Sequence, residues 1–350
     1  MMAQDWSLLE RLCAARGVSG AEDEVRELIL KEIRPCAEKI EVSPLGNILA
    51  FRRGEKRPAT RLMLDAHMDE AGLIVTRVTE GGLLKFEPVG GIDRRALPGK
   101  SVTVGENIPG VIGAVPVHLL ERDEREKCVP LKDLYIDIGA LSREEALERV
   151  RPGDTAAFAP FFRAARGALM GKALEGRAGC ALLIELMRAG MKYDTLFAFT
   201  VQGETGLAGA KTAAFSAAPE AALVVGAAEA GDAPGAEKGR QSCRPGAGPA
   251  IPFLDRRTVY DRRYCRMAAE AARRAGVPCQ PVRGVSGGND AGAVHTSRAG
   301  VRTAAVLLPC RCPRSAAGVA AQSDYLAARR LAACLAEAIE ERNVHEQPLC

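Results

Sequence analysis

Five short stretches of the sequence carry residue types that work at metal ions. Ala66-His67-Met68-Asp69-Glu70 closes a buried apolar run, Arg61-Leu62-Met63-Leu64-Asp65-Ala66. A His-x-Asp pair can set an imidazole on a metal while the carboxylate orients the ring. The same pair also suits a strand end bonded to nearby backbone. Glu175, within Lys172-Ala173-Leu174-Glu175-Gly176-Arg177-Ala178-Gly179-Cys180, leads into a helical pattern. It reads as a metal ligand, or as an acid favoured by a helix dipole. Glu204, within Thr200-Val201-Gln202-Gly203-Glu204-Thr205-Gly206, leaves a strand pattern for a helical one and has the same two readings. Asp290 follows Gly287-Gly288-Asn289 and precedes the segment holding His295, where it reads as an acid at a helix start. Cys310 and Cys312 lie close together, and thiolates bind zinc well.

The surrounding pattern must place these groups. Two amphipathic helices are expected at about 5–16 and 22–38, with Asp5 as a candidate N-cap and Gly17 as a stop. A strand–turn–strand follows, through Ile40-Glu41-Val42, Leu45-Gly46-Asn47 and Ile48-Leu49-Ala50-Phe51. The run 61–66 reads as a buried strand ending at His67. From 72 to 165, short β-type runs punctuated by glycines predict a small β-rich insert. Beyond 166, helices are expected at 177–190, 206–215, 258–275, 290–298 and 323–341. Strands are expected at Leu196–Val201, Ala222–Val225 and Val301–Leu308. Alternating strands and helices predict an α/β fold, with a central mixed sheet covered by helices. The expected division is a discontinuous α/β domain (1–71 and 166–342), an inserted β-rich domain (72–165) and a tail (343–350). A Gly/Ala/Pro-rich stretch near 229–250 reads as a long loop over a sheet edge. Loops at the carboxyl ends of strands are where such folds build sites.

Composition narrows the function classes. With 48 basic and 44 acidic residues, the net charge of +4 is small and spread out, which gives no case for nucleic acid or membrane binding. No apolar run approaches the ~18 residues of a membrane span. Asp5, Glu10, Arg11 and Arg16 interrupt the first 20 residues, so no secretory h-region is read there. The 11 cysteines are scattered and form no CxxC pair, so reduced thiols and a cytoplasmic location are expected.

Read together and in order, these segments resemble the deblocking and glutamyl aminopeptidases that assemble into tetrahedral dodecamers. The resemblance runs from about 7 to 341. It rests on Gly17-Val18-Ser19-Gly20-Ala21-Glu22-Asp23-Glu24-Val25, Leu45-Gly46-Asn47, Ala66-His67-Met68-Asp69-Glu70-Ala71-Gly72 and Pro88-Val89-Gly90-Gly91-Ile92-Asp93. Leu134-Tyr135-Ile136-Asp137-Ile138-Gly139, Gly171-Lys172-Ala173-Leu174, Arg177-Ala178-Gly179 and Gly287-Gly288-Asn289-Asp290-Ala291-Gly292-Ala293-Val294-His295 complete it. The resemblance implies an α/β peptidase domain with an inserted assembly domain. It also implies two zinc or cobalt ions bridged by a carboxylate and a water, with a glutamate as general base.

Carried over position by position, the resemblance assigns His67 as a metal ligand and Asp69 as the residue that orients it. The bridging aspartate position holds Glu175, and the acid or amide after it is Gly176. The family's Glu-Glu pair is Gly203-Glu204, so the ligand Glu204 stays and the general-base position is a glycine. The aspartate ending the next strand is Gly226. Near the C-terminus, Arg311-Cys312-Pro313-Arg314-Ser315-Ala316 places Arg314 where the last metal histidine would be. The remnant ligands are therefore His67, Glu175 and Glu204, with Cys312 as a possible substitute, and metal binding is expected to be weak or absent. Glu175 and Glu204 would repel each other in a metal-free cleft. Arg314 is expected to bridge them by charge-assisted hydrogen bonds. The expected protein is an aminopeptidase homologue with impaired or lost catalysis that binds peptides or a partner. It is expected to form a homo-oligomer, from dimer up to dodecamer, or to co-assemble with an active paralogue. The alternative is a residual mononuclear metallohydrolase.

Overall fold

The computed structural model describes residues 4–232, 235, 241–285 and 287–343. Most of the expected 343–350 tail, part of the 229–250 stretch and Ser286 lie outside the described residues. Apolar runs too continuous for a one-sided sheet form the centre. Thr195–Thr200, Leu62–His67, Ala221–Glu229 and Arg302–Arg311 lie side by side and parallel. They are buried almost throughout, as strands covered on both faces must be. Antiparallel strands extend this centre on both sides, giving a mixed sheet of 11 strands among the described residues. Helix Leu174–Ala189 packs on it with most of its residues buried, and the apolar faces of Ser7–Ala14, Asp23–Ile33 and Gln322–Glu340 join the same core.

The segment from Gly72 to Phe158 contains six strands that close into a barrel with its own core, including Leu73, Val75, Leu84, Phe86 and Val104. Strand Phe162–Ala165 falls on the insert's side of the expected boundary at 165. It pairs instead with Ala168–Gly171 in the large sheet, so the chain returns to the main layer a few residues earlier. Other boundaries shift for local reasons. Helix Arg262–Ala275 begins later than 258 because Asp261 caps it, accepting from the Arg263 and Tyr264 amides. The expected helix 290–298 is a single turn, Ala291–Val294. Helix Ser7–Ala14 starts after Trp6, while Asp5 Oδ1 accepts the Ser7 amide. Among the described residues, no helix is long and apolar enough to cross a membrane.

A buried ion cluster fixes the start of the chain against the strand end that carries His67. Lys172 Nζ reaches both Glu70 oxygens (2.7 and 2.8 Å) and the Ala15 carbonyl (3.0 Å). Arg177 Nη1 donates to the Leu12 and Ala15 carbonyls, and its Nη2 lies 3.4 Å from Glu70. All three charged residues are buried. Taking away one charge of such a cluster strands the others in low dielectric, which costs about 3–5 kcal/mol. Glu70→Ala is therefore expected to lower unfolding stability by about that amount. Urea titration checks this, and an unchanged midpoint contradicts it.

Glu340 titrates within the fold. Burial pushes its carboxyl up to about 8 despite the hydrogen bond from Thr195 Oγ1 (2.6 Å). An acid raised on folding makes the folded chain hold a proton that the unfolded chain releases. Stability at this residue therefore falls as pH climbs from the ordinary carboxylate range to about 8. Glu340→Gln is expected to raise the denaturation midpoint at pH 9 and to leave it nearly unchanged at pH 4. An equal shift at both pH values contradicts the assignment.

Candidate metal site

The carboxyl ends of the parallel strands gather the residues singled out in the sequence. His67 ends its strand and Asp69 follows two residues on. Asp69 organises the place: its Oδ1 accepts the Gly203 amide (2.7 Å), and its Oδ2 accepts the Glu204 amide (2.9 Å) and the Ser19 hydroxyl (2.5 Å). His67 Nδ1 lies 3.2 Å from Asp69 Oδ1. Burial pushes the Asp69 carboxyl up, but the His67, Ser19 and Glu204 contacts outweigh it and hold the group down at about 2. Burial likewise works against a charged His67. The Asp69 bond and charge, with Asp290 and Glu175 nearby, outweigh it and raise the imidazole to about 10. At neutral pH, Asp69 and His67 are thus an ion pair.

Arg314 makes the second pair of contacts. Its Nε donates to Glu204 Oε2 (2.8 Å) and its Nη2 to Glu175 Oε1 (2.7 Å). This is the bridge expected from the sequence. Burial pushes the Glu175 carboxyl up to about 8, helped by the Glu204 charge and opposed by Arg314 and His67. Arg314 and His67 thus bring positive charge against the acids of the cluster, Arg314 directly onto Glu175 and Glu204 and His67 onto Asp69. The recess lined by Asp69, Glu175, Gly176, Glu204 and Arg314 retains only about 10 Å³ of free volume. That is at the limit for one water. Outside it, a groove of about 340 Å³ runs past Gly91, Asp93, Lys100, Glu229, Cys312 and Arg314.

Comparison with known proteins places this arrangement. The sequence model for the M42 glutamyl aminopeptidases matches residues 46–331. The chain belongs to the M42 glutamyl aminopeptidase family. It is 38% identical to a provisionally assigned aminopeptidase of Acetivibrio thermocellus, over 95% of this chain and 98% of that one. The crystal structure of a TET aminopeptidase from a marine-sediment Thaumarchaeota archaeon superposes with a TM-score of 0.90 at 33% identity, covering 97% of this chain and 96% of that one. The TET1 peptidase of Pyrococcus horikoshii, which can assemble into a tetrahedron or a large octahedral shell, matches at a TM-score of 0.82 and 35% identity, over 94% and 98% of the two chains. M42 proteins are metal-dependent aminopeptidases, and the helix-covered mixed sheet with its small barrel is their fold.

Around this M42 site, the backbone takes unusual turns. Ala173, Gln202 and Cys312 all have positive φ (57°, 55° and 50°), each two residues before Glu175, Glu204 and Arg314 respectively. Such strain is held only where the surrounding structure over-determines it. The three glycines differ in what surrounds them. A Cβ on Gly203 would stand 2.7 Å from His67 Cβ and Cγ, and one on Gly176 would stand 2.6 Å from the His67 carbonyl and 2.8 Å from its ring. At Gly226 the nearest atom would be 3.9 Å away. His67 therefore packs onto two of the three, while a Cβ at the third, also buried, would meet only ordinary van der Waals contacts.

Sequence reasoning passed over one pair. Asp65 lies two residues before His67 on the same strand, so the two share a face, and it is fully buried. Burial, then repulsion from Asp290, keeps its carboxyl well above the usual range. Asp290 is also buried and raised, and its Oδ2 accepts the Thr200 hydroxyl (2.9 Å). The available signal was an acid at period two from His67 inside an apolar run. Elsewhere, Cys312 is exposed and Cys310 buried, and both are free thiols. His295 Nδ1 contacts the Ala291 carbonyl (2.7 Å), and His118 sits on an exposed turn of the insert. Among the described residues, no group of three or more His, Cys, Asp and Glu is placed to hold a metal ion.

The contacts of the glycines give a graded expectation. Gly203→Ala must displace the His67 ring and is expected to cost about 1–3 kcal/mol, the usual penalty for overpacking. Gly226→Ala is expected to cost less than Gly203→Ala, because its Cβ would meet only ordinary van der Waals contacts. Urea midpoints of the two variants, measured side by side, test the ranking.

Proposed function

We propose that this chain is a catalytically impaired M42 homologue that binds peptides or a protein partner through the groove beside Arg314. The observation that carries this reading is the Arg314 guanidinium, hydrogen-bonded at once to Glu175 and Glu204. Those carboxylates stand at the positions from which an M42 protein would hold its metals. A catalytic zinc normally takes three protein ligands and an open position. Here two acids are already engaged by a cation, Gly226 has no donor to offer, and the recess is filled. The donor set does not fit a pair of divalent ions. At the general-base position Gly203 carries no proton acceptor, and loss of such a base alone typically costs ~10²–10⁴ in rate.

A one-metal hydrolase is the weaker reading. It would need His67, Glu204 and Cys312 together, yet Arg314 already engages Glu204, and among the described residues these groups are not gathered to hold a metal ion. By similarity to the shell-forming TET1 peptidase, we extend homo-oligomer formation to this chain, with co-assembly beside an active relative as the variant of that idea.

Three measurements bear on the proposal together. The purified protein is expected to hold less than about one zinc per chain, short of a complete ligand set. It is expected to turn over no amino-acyl p-nitroanilide, and Gly203→Glu alone is expected to restore none. Arg314→Ala is expected to bind zinc at least ~10-fold more tightly than the parent, because two acids lose the cation that shields them. Two tightly held zinc ions per parent chain, with turnover, would overturn the proposal. Equal zinc affinity with and without Arg314 would remove its electrostatic basis.

A further inference from the structure

We infer a binding site for a small phosphate-bearing anion at the opposite end of the sheet from Arg314. The cavity, about 190 Å³, lies between the start of helix Arg262–Ala275, the start of strand Arg302–Arg311 and the end of helix Gln322–Glu340. Ten strand residues separate its mouth from the remnant site, about 30 Å at the usual rise per residue.

Three observations point to an anion. Arg263, Arg266, Arg302 and Arg342 all line the cavity, against one lining carboxylate, Glu270. Two further acids act on Tyr264: Asp261, 3.8 Å from Arg302, and Glu220. Counting all three acids against the four arginines still leaves an excess of positive charge, which favours an anion such as a phosphate monoester. Arg263, Arg266 and Arg342 have no carboxylate in salt-bridge contact among the described residues. The second observation is independent of charge. Tyr264 lines the same cavity and is only 4% exposed, and its buried hydroxyl has no hydrogen-bond partner among the described residues. A buried hydroxyl left without a partner costs about 1–3 kcal/mol, and a phosphate oxygen would satisfy it. Third, Met267 and Ile339 give the cavity an apolar wall, room for a carbon-bearing group beside the phosphate.

Planar guanidiniums recognise phosphate by paired, charge-assisted hydrogen bonds, which lysines or a diffuse positive surface do not supply. The site is separate from the groove beside Arg314 and does not rest on the proposed loss of catalysis.

The test uses the full chain at fixed ionic strength, with inorganic phosphate, pyrophosphate and ADP as probes in calorimetry and thermal shift. Micromolar binding of pyrophosphate or ADP is expected. A preference for ADP assigns the apolar wall to the ligand's organic part, and equal binding assigns the site to the phosphates alone. Paired Arg266→Glu and Arg342→Glu changes, both at exposed side chains, are expected to weaken binding at least ~10-fold. Tyr264→Phe is expected to weaken it ~3–10-fold while leaving the ligand-free protein as stable as the parent or more so. Binding only at tens of millimolar, or equal binding by parent and charge-reversed protein, would overturn the inference. So would a Tyr264→Phe variant that loses no affinity.

Discussion

One guanidinium decides the state of this cleft. Arg314 reaches Glu175 at the start of one helix and Glu204 in the loop after a neighbouring strand, and it follows a third strand itself. Two carboxylates that close would otherwise repel across a partly desolvated recess. A half-exposed pair at the surface contributes little, but here Glu204 and Glu175 are mostly buried while Arg314 is 30% exposed at its side chain. Losing the arginine would leave an acid pair with no counter-charge, the arrangement that buried ion clusters tolerate least. The same contact fills the space above the acids, so electrostatic closure and steric closure are one event.

The cleft keeps its architecture around that contact. Asp69 still accepts two consecutive amides from the Gly203–Glu204 loop and still holds His67 by its Nδ1. The positive-φ residues still turn the chain just before Glu175, Glu204 and Arg314. Strained turns persist only where something maintains them. Here that support comes from Asp69, from the Glu70–Lys172–Arg177 cluster behind it and from the buried Asp65–Asp290 pair beneath it. None of these groups must touch a substrate to do so. The strain is therefore accounted for by the scaffold, and it is no evidence that chemistry continues.

The sequence was most legible where several signals coincided. The buried run ending at His67, the glycine-punctuated insert and the strand–helix alternation after 166 each reflect periodicity or burial, and the sheet and barrel formed from them. Arg314 was legible as a bridge because charge allows few other outcomes between two acids. The misreadings have local causes. Strand Phe162–Ala165 was assigned to the insert because nothing in its residues tells which sheet it joins; its pairing with Ala168–Gly171 is a tertiary fact. Asp65 went unnoticed because an acid within an apolar strand reads as an interruption. Its meaning depends on Asp290, which arrives 225 residues later in the chain. The arginines around Tyr264 were invisible for the same reason, since they come from three separate elements.

On the proposed reading, the substitutions are coupled. Replacing the last metal ligand by a neutral residue, with Glu175 and Glu204 kept, would leave the acids facing each other whenever no metal was bound. A cation at position 314 removes that penalty, and its charge also disfavours any metal that returns. Glycine at 203 and 176 is then accommodated in the fold, because His67 packs against the space that a Cβ would take. Reversal is correspondingly hard. Glutamate at 203 would have to push His67 aside before it could act as a base, and it would do so beside acids still held by Arg314. The barrier to renewed hydrolysis is the mutual consistency of the neutralised cluster, and no single residue carries it.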